Sequence, residues 1–173
     1  MTKPISELTF KIVAFPEIQQ MDTNEGIDWA IEMMELGYES QSLFMLASFN
    51  KPTNYFEIIG YIINTVHELG LEMKNGDDAV LSYAGYYVLQ IAKGLNVRAN
   101  LAELYKFCQR RNYENLVYDF YLLYWAWDDL DYEIAEFNPY WNGAKRENIE
   151  KIVIEIANKW IEKNKKHFAQ KCK

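Results

Sequence analysis

The sequence predicts an all-α protein, and two observations carry that prediction. Apolar residues recur at helical spacing along most of the 173 residues. Three of these segments end in a glycine followed by an apolar residue ("MELGY", "HELGL" and "IAKGL"), which is typical of a Schellman helix stop. The short run "TFKIVAF" (Thr9 to Phe15) is the sole strand candidate. We therefore expect about seven helices in stacked antiparallel hairpins, forming an irregular α-α array.

Capping residues and apolar spacing predict where each helix lies. Thr23 or Asn24 is expected to cap the first helix, which ends at Gly37, and Ser40 or Glu39 opens the second. The later helices are expected over "YFEIIGYIINTVHELG", "DDAVLSYAGYYVLQIAKG", "NVRANLAELYKFCQRRN", "ENLVYDFYLLYWAWDDLDY" and a last segment from about Arg146 to His167.

Length and composition favour one domain over residues 1–173, with an irregular segment at 1–20 and a frayed tail at 168–173. No targeting segment is visible, and the longest apolar run, Phe120 to Trp127, is too short to span a membrane. The expected protein is soluble and cytoplasmic. Cys108 lies in an apolar helical pattern and Cys172 in the tail, so both are expected to be reduced thiols.

The formal net charge of −7 is unevenly distributed. Residues 1–158 carry 12 lysines and arginines against 24 acidic residues, whereas residues 159–173 carry six lysines against Glu162 alone. An acidic body disfavours nucleic acid as a partner, since phosphates require a basic surface. It favours a basic protein or a cation. Within the last helix, Glu155 and Lys159 are spaced for an i,i+4 ion pair.

Catalytic signatures are absent from the sequence. "DDLD" (128–131) lacks the final acid of a DDxxD motif because Tyr132 occupies that position. Read as a calcium loop from Asp129, it has Ile134 where glycine is required and Tyr140 where a bidentate glutamate is required. His67 and His167 stand in no metal-binding or nucleophilic motif. We predict no enzyme activity, no cofactor and no metal.

Asp119 interrupts the segment "LVYDFYLLYWAW", which is apolar on every face and predicts a central, buried helix. A buried carboxylate must be paired or become neutral, so a partner is expected for Asp119. The candidate partners are Arg98, Arg110, Arg111 and Arg146. A functional acid is the alternative interpretation.

Two groups of residues are predicted to bind a partner. Carboxylates recur at steps of three and four along the first long helix, with no cation at i,i+4 on that helix to offset their repulsion. Trp and Tyr in the loop "EFNPYWNGAKREN" are residues that often anchor interfaces. The predicted partner-binding residues are Glu25, Asp28, Glu32, Glu35, Asp128, Asp129, Asp131, Glu133, Tyr140 and Trp141.

Three segments resemble a group of small all-helical bacterial proteins. These are "DWAIEMMELGYESQSLFMLASFNKPTNYFEIIGYIINTVHELGL" (28–71), "DFYLLYWAWDDLDY" and "YWNGAKRENIEKIV". Some of that group look like immunity proteins of polymorphic-toxin and contact-dependent growth-inhibition systems. The resemblance implies a cytoplasmic, acidic, helical protein that holds a basic toxin domain, and it assigns no binding residue.

The leading hypothesis is therefore a non-enzymatic protein-binding module. In its most concrete form it is an immunity protein, a monomer or weak dimer, that occludes the active surface of a cognate basic toxin, such as a nuclease, by shape and charge. One alternative is a divalent-metal-dependent hydrolase or transferase that uses Asp119 and the acidic cluster 128–133. Another is a structural adaptor in a helical assembly.

Overall fold

The computed structural model describes residues 3–19, 22–132 and 137–170. Over these residues all regular secondary structure is helical, so the predicted all-α class is confirmed. Seven helices in the described part of the chain have seven residues or more, which matches the predicted number. The α-helices are α1 (Thr9–Ile12), α2 (Phe15–Ile18), α3 (Asn24–Glu35), α4 (Gln41–Ala47), α5 (Tyr55–Glu68), α6 (Gly76–Ala92), α7 (Val97–Arg110), α8 (Tyr118–Tyr132) and α9 (Ile149–Phe168).

The helix stops predicted from glycine are confirmed at Gly37, Gly70 and Gly94, which all have positive φ. At the end of α3, the Gly37 N–H donates to the Met34 carbonyl at 2.8 Å, and the Tyr38 N–H donates to the Met33 carbonyl at 2.9 Å. This pair of bonds is the Schellman arrangement. A side chain at φ +82° would be strained, so glycine allows the chain to leave α3 and turn into α4.

The chain divides into two compact units. The first comprises Met1–Tyr83 with His167–Lys173, and the second comprises Ala84–Lys166. The division falls within α6 and again within α9, so each of these helices contributes residues to both units.

In the first unit, α4 packs against α3 and α5, as expected for consecutive helical hairpins. Ser40 caps α4 by accepting a hydrogen bond from the Leu43 N–H at 3.2 Å. Neither Thr23 nor Asn24 caps α3 through its side chain: the Thr23 hydroxyl donates to the Thr53 carbonyl at 2.7 Å, and Asn24 Oδ1 accepts from the Thr53 N–H at 3.1 Å. These bonds connect the start of α3 to the segment before α5.

The strand candidate "TFKIVAF" is helical instead, since it forms α1 and contributes Phe15, the first residue of α2. Its backbone bonds are local, since the Ile12 and Val13 N–H groups donate to the Leu8 and Thr9 carbonyls at 3.0 Å. Five consecutive side chains from Lys11 to Phe15 are buried, so the run does not have the alternating exposure of a half-buried strand.

Lys11 is the unusual member of this buried run, because only 2% of its side chain is exposed. Its Nζ lies 2.6 Å from Oε1 and 2.5 Å from Oε2 of Glu25 on α3, and 5.4 Å from the centre of the Tyr83 ring. A buried ammonium requires such a carboxylate, and an aromatic face adds further attraction. The ion pair thereby holds α1 against α3.

The C-terminal segment completes the first unit. Phe168 is buried and packs edge-on against Phe10, with ring centres 5.5 Å apart. The Gln170 side chain accepts from the Glu72 N–H at 2.8 Å and donates to the Glu72 carbonyl at 3.1 Å. The rest of the predicted frayed tail, including Cys172, lies outside the described residues.

In the second unit, α7 packs against α8, and a 3-10 turn (Asn115–Val117) leads into α8. Trp160 of α9 donates from Nε1 to the Leu116 carbonyl at 2.8 Å, and its ring lies 6.3 Å from that of Phe120. Cys108 is a buried free thiol on α7, as predicted. Burial raises its pKa to about 11.

None of the described helices is long and apolar enough to cross a membrane.

The Lys11–Glu25 pair leads to a stability prediction. Glu25→Gln leaves the buried ammonium without a counter-ion, and removing one partner of a buried pair costs about 3–5 kcal/mol. Because a quarter of the Glu25 side chain is exposed, we expect the lower end of that range, a decrease of about 3 kcal/mol in the free energy of unfolding by urea. Glu35→Gln, which removes an exposed carboxylate on the same helix, should change the free energy of unfolding by no more than about 0.5 kcal/mol.

The double variant Lys11→Met/Glu25→Gln provides the control for this prediction. It removes the buried charge altogether, so it should be more stable than Glu25→Gln alone. Equal stability of Glu25→Gln and the wild-type chain would show that the pair does not stabilise α1 on α3.

Candidate partner-binding surface

The carboxylates predicted to form a free row on α3 are mostly engaged by other parts of the chain. Glu25 pairs with Lys11, Asp28 pairs with Lys51, and Glu32 accepts a hydrogen bond from the Ser6 hydroxyl. Sequence reasoning considered only cations one turn away on the same helix and missed these partners. Three of the four predicted α3 residues therefore stabilise the first unit.

Glu35 is the remaining member of that row. Its side chain is exposed, and no described residue forms an ion pair or hydrogen bond with it. Glu32 also keeps its negative charge, because its partner, the Ser6 hydroxyl, is neutral. Among the described residues, the α3 face therefore has two carboxylates without a counter-ion, Glu32 and Glu35, while Glu25 and Asp28 are ion-paired within the chain.

The helix α8 is not buried on every face, and the prediction of a central core helix was wrong. Its buried side chains are Phe120, Leu123 and Ala126, which repeat at steps of three. The prediction failed because tyrosine was counted as a core residue, although its hydroxyl allows it to remain at the surface.

Asp119 is exposed, and no described residue forms an ion pair with it. Of its predicted partners, Arg98 pairs with Asp131 and Arg111 with Glu114.

A second face of α8 carries aromatic and acidic side chains at alternating steps of three and four. We call this face, together with Tyr105 of α7 and Tyr140, the aromatic–acidic surface. Tyr132, at its end, is 81% exposed, and Tyr118 and Tyr140 are also exposed. Its α8 members are Tyr118, Tyr121, Trp125, Asp128 and Tyr132, and Asp129 borders it beside Asp128.

Three tyrosines of this surface, Tyr105, Tyr118 and Tyr121, form a continuous stack with the neighbouring Tyr124. Tyr105 lies between Tyr121 and Tyr124, with ring centres at 5.3 and 4.1 Å and interplanar angles of 18° and 16°. Tyr118 extends the stack from Tyr121 at 5.4 Å. Ring edges and hydroxyl groups, rather than ring faces, are therefore the parts that the stack presents to solvent.

The acidic end of the surface retains uncompensated charge. Asp131 is paired with Arg98, whose guanidinium also lies 5.4 Å from the centre of the Trp127 ring. Asp128 and Asp129 are partly exposed, and no cationic group of the described residues lies within 4 Å of either carboxylate. Glu133, the fourth predicted acid of this cluster, lies outside the described residues.

Asn138 positions the aromatic loop beside α8. It is only 6% exposed, its Nδ2 donates to the Ala126 carbonyl at 2.9 Å, and its Oδ1 accepts from the Tyr140 and Trp141 N–H groups at 3.0 Å. As a result the Tyr140 ring lies 6.2 Å from that of Trp125, inclined by 27°. The structure thus brings Tyr140 together with the aromatic residues of α8. Sequence reasoning named Tyr140 and Trp141 but missed Asn138, for which the Asn-Pro turn was the available signal.

A metal centre has no support from the described side chains. Within ranges 3–19, 22–132 and 137–170, no three His, Cys, Asp or Glu residues are placed to hold one ion. Asp128 and Asp131, three residues apart, are neighbours on one face of α8, but Asp131 is paired with Arg98, and Asp129 lies about 100° around the helix axis from Asp128.

Comparisons with protein-family models, with curated proteins and with solved structures find no match to this chain.

The contacts of Asn138 lead to a prediction about the loop. Asn138→Ala leaves the Tyr140 and Trp141 N–H groups without their acceptor, and an unsatisfied buried group costs about 1–3 kcal/mol. We expect a loss of about 2 kcal/mol in the free energy of unfolding and a changed near-ultraviolet circular dichroism signal from Trp125 and Tyr140. The matched Asn158→Ala removes an exposed side chain on α9 and should leave that signal as in the wild type. An unaltered spectrum in Asn138→Ala would contradict the proposed positioning role.

The tyrosine stack leads to a prediction at alkaline pH. Burial, then the neighbouring phenols Tyr121, Tyr124 and Tyr113, then Asp128, raise the pKa of Tyr105 above its ordinary value of 10.0. The folded state therefore holds this proton more tightly than the unfolded state. Its contribution to stability is fully present below pH 10 and is lost as the pH rises through the raised pKa.

Urea unfolding at increasing alkaline pH tests this contribution. The free energy of unfolding of Tyr105→Phe should fall less steeply above pH 10 than that of the wild-type chain, because the substituted ring has no proton to lose. Parallel curves for the two proteins would show that Tyr105 ionises equally easily in both states.

Proposed function

We propose that this chain is a non-enzymatic protein-binding module, and that the aromatic–acidic surface of α8 contacts a basic partner protein. The observation that carries the proposal is the half-buried stack of tyrosines, exposed at Tyr118, on the same helix as the uncompensated carboxylates of Asp128 and Asp129. The α3 residues Glu25, Asp28 and Glu32 support folding in this proposal, because each already has a partner within the chain.

The aromatic part of the surface suits protein recognition. Tyrosine and tryptophan are enriched among the residues that dominate binding energy, since they bury a large apolar area and also form hydrogen bonds. Tyr118, Tyr132 and Tyr140 are exposed at separate points along the surface. A partner that covers them would remove substantial apolar area from water, which favours association.

The acidic part of the surface determines the charge of the partner. Asp128 and Asp129 lie within one helical turn of Trp125 and Tyr132 along α8. Complementary charge accelerates encounter and excludes acidic proteins from the surface. A basic partner is therefore favoured over an acidic one.

In its most concrete form, the proposed module is an immunity protein that neutralises a cognate basic toxin domain in the cytoplasm by covering its active surface. The acidic surface and the resemblance of three segments to immunity-type proteins support this assignment. A toxin whose substrate is anionic requires a basic active surface, and an acidic inhibitor with exposed aromatic residues can occupy it.

The experiment begins with the product of the coding sequence next to the one for this chain. Co-expression should protect cells from that product, and the purified proteins should bind with an affinity that decreases as salt increases. Tyr121→Ala and Tyr132→Ala should each weaken binding by about 2 kcal/mol, close to 30-fold. Asp128→Asn/Asp129→Asn should slow association and flatten the salt dependence.

Two substitutions in the first unit provide matched controls. Phe56→Ala removes an aromatic ring that is 89% exposed on α5, and Glu35→Gln removes an exposed carboxylate on α3. Both should bind as the wild type does. Wild-type affinity in all the α8 variants, or a loss of affinity only in the controls, would refute the assignment of the surface.

A further inference from the structure

The second unit contains a cleft of about 440 Å³ between the start of α8 and the middle of α9. The 3-10 turn contributes one wall and α9 the opposite one. The cleft is separate from the aromatic–acidic surface and shares no residue with it. Its lining residues are Asn115, Leu116, Asp119, Ile156, Lys159, Trp160, Lys163 and Asn164.

The charged groups of the cleft are not compensated within the chain. Lys159 and Lys163 are one turn apart on α9, where like charges repel each other. Glu155, the predicted partner of Lys159, instead lies 3.9 Å from Lys151. In the part of the chain that the structure describes, no carboxylate lies within 4 Å of either cleft lysine, and no cation lies within 4 Å of Asp119. Two ammonium groups and one carboxylate thus line the cleft without forming an ion pair.

Asn164 is a buried polar side chain in the wall of the cleft. Only 8% of it is exposed, and its Nδ2 donates to the Trp160 carbonyl at 2.9 Å. No described residue donates a hydrogen bond to its Oδ1. The Trp160 indole is held beside it by the bond from Nε1 to the Leu116 carbonyl. Asn164 therefore adds to the lining of the cleft an amide oxygen with no donor among the described residues.

We propose that this cleft binds a small zwitterion that has an anionic carboxylate or phosphate group and an ammonium group. The anionic group accepts charge-assisted hydrogen bonds from Lys159 and Lys163, and the ammonium group donates to Asp119 and to Asn164 Oδ1. A simple anion would satisfy only the lysines and leave Asp119 beside added negative charge. A simple cation would satisfy only the acceptors.

Nuclear magnetic resonance titrations with four probes test the cleft. O-phosphoethanolamine and glycine carry both charges, with phosphate and carboxylate as the respective anionic groups, while inorganic phosphate and ethanolamine carry one each. We expect saturable shifts of the Trp160 indole N–H and the Asn115 and Asn164 amides. At least one zwitterion should bind about tenfold more tightly than either singly charged probe. The stronger of the two zwitterions identifies the anionic group.

Substitutions of the exposed cleft residues complete the test, because they leave the core intact. Lys159→Gln/Lys163→Gln should weaken zwitterion binding about tenfold, and Asp119→Asn should abolish the preference over inorganic phosphate. Lys165→Gln/Lys166→Gln, two exposed lysines on α9 outside the cleft, should bind as the wild type does. Shifts that fail to saturate, or equal binding in the cleft and control variants, would overturn the proposal. The outcome is independent of the proposed protein partner, which contacts other residues.

Discussion

The buried ammonium group of Lys11 is the constraint on which the organisation of the first unit depends. A charge that is almost wholly removed from water must keep a counter-ion, so Glu25 is required at its position on α3. The same requirement places α1 against α3 and brings the Tyr83 ring beside the ammonium group. Asp28 and Glu32 extend this pattern, because each is bonded to a distant part of the chain. A row of acids along a helix can thus bond to other segments of its own chain rather than to a partner protein.

Counter-ions divide each of the two acidic groups of the chain. On α3, Glu25 and Asp28 are ion-paired, whereas on α8 Asp131 is paired and Asp128 and Asp129 have no cation nearby among the described residues. The aromatic residues of α8 also lie on different faces. Phe120 is buried on one face, while Tyr118 and Tyr132 are exposed on another. Charge and aromatic area available to a partner therefore coincide on α8.

The fold was largely predictable from sequence, because its signals are local. The glycine stops, the Ser40 cap and the apolar spacing depend on residues within one or two helical turns of each other. The candidate surface was predictable only in part. Asp128 and Tyr140 could be named from composition, but the bonds of Lys11 and Lys51 to α3 join residues 14 and 23 positions apart. Such contacts depend on how helices pack, and one sequence does not encode that in a local pattern.

The stacking of Tyr105 between Tyr121 and Tyr124 has a consequence for selectivity. Rings held face to face already occupy few rotamers before a partner binds. Binding therefore avoids the entropy cost of ordering these side chains, which is about 0.5–1.5 kcal/mol for each. The same rigidity prevents the surface from remodelling itself around a poorly matched protein. A surface of this kind discriminates among related partners by shape, in contrast to flexible methionine-rich surfaces that adapt to many.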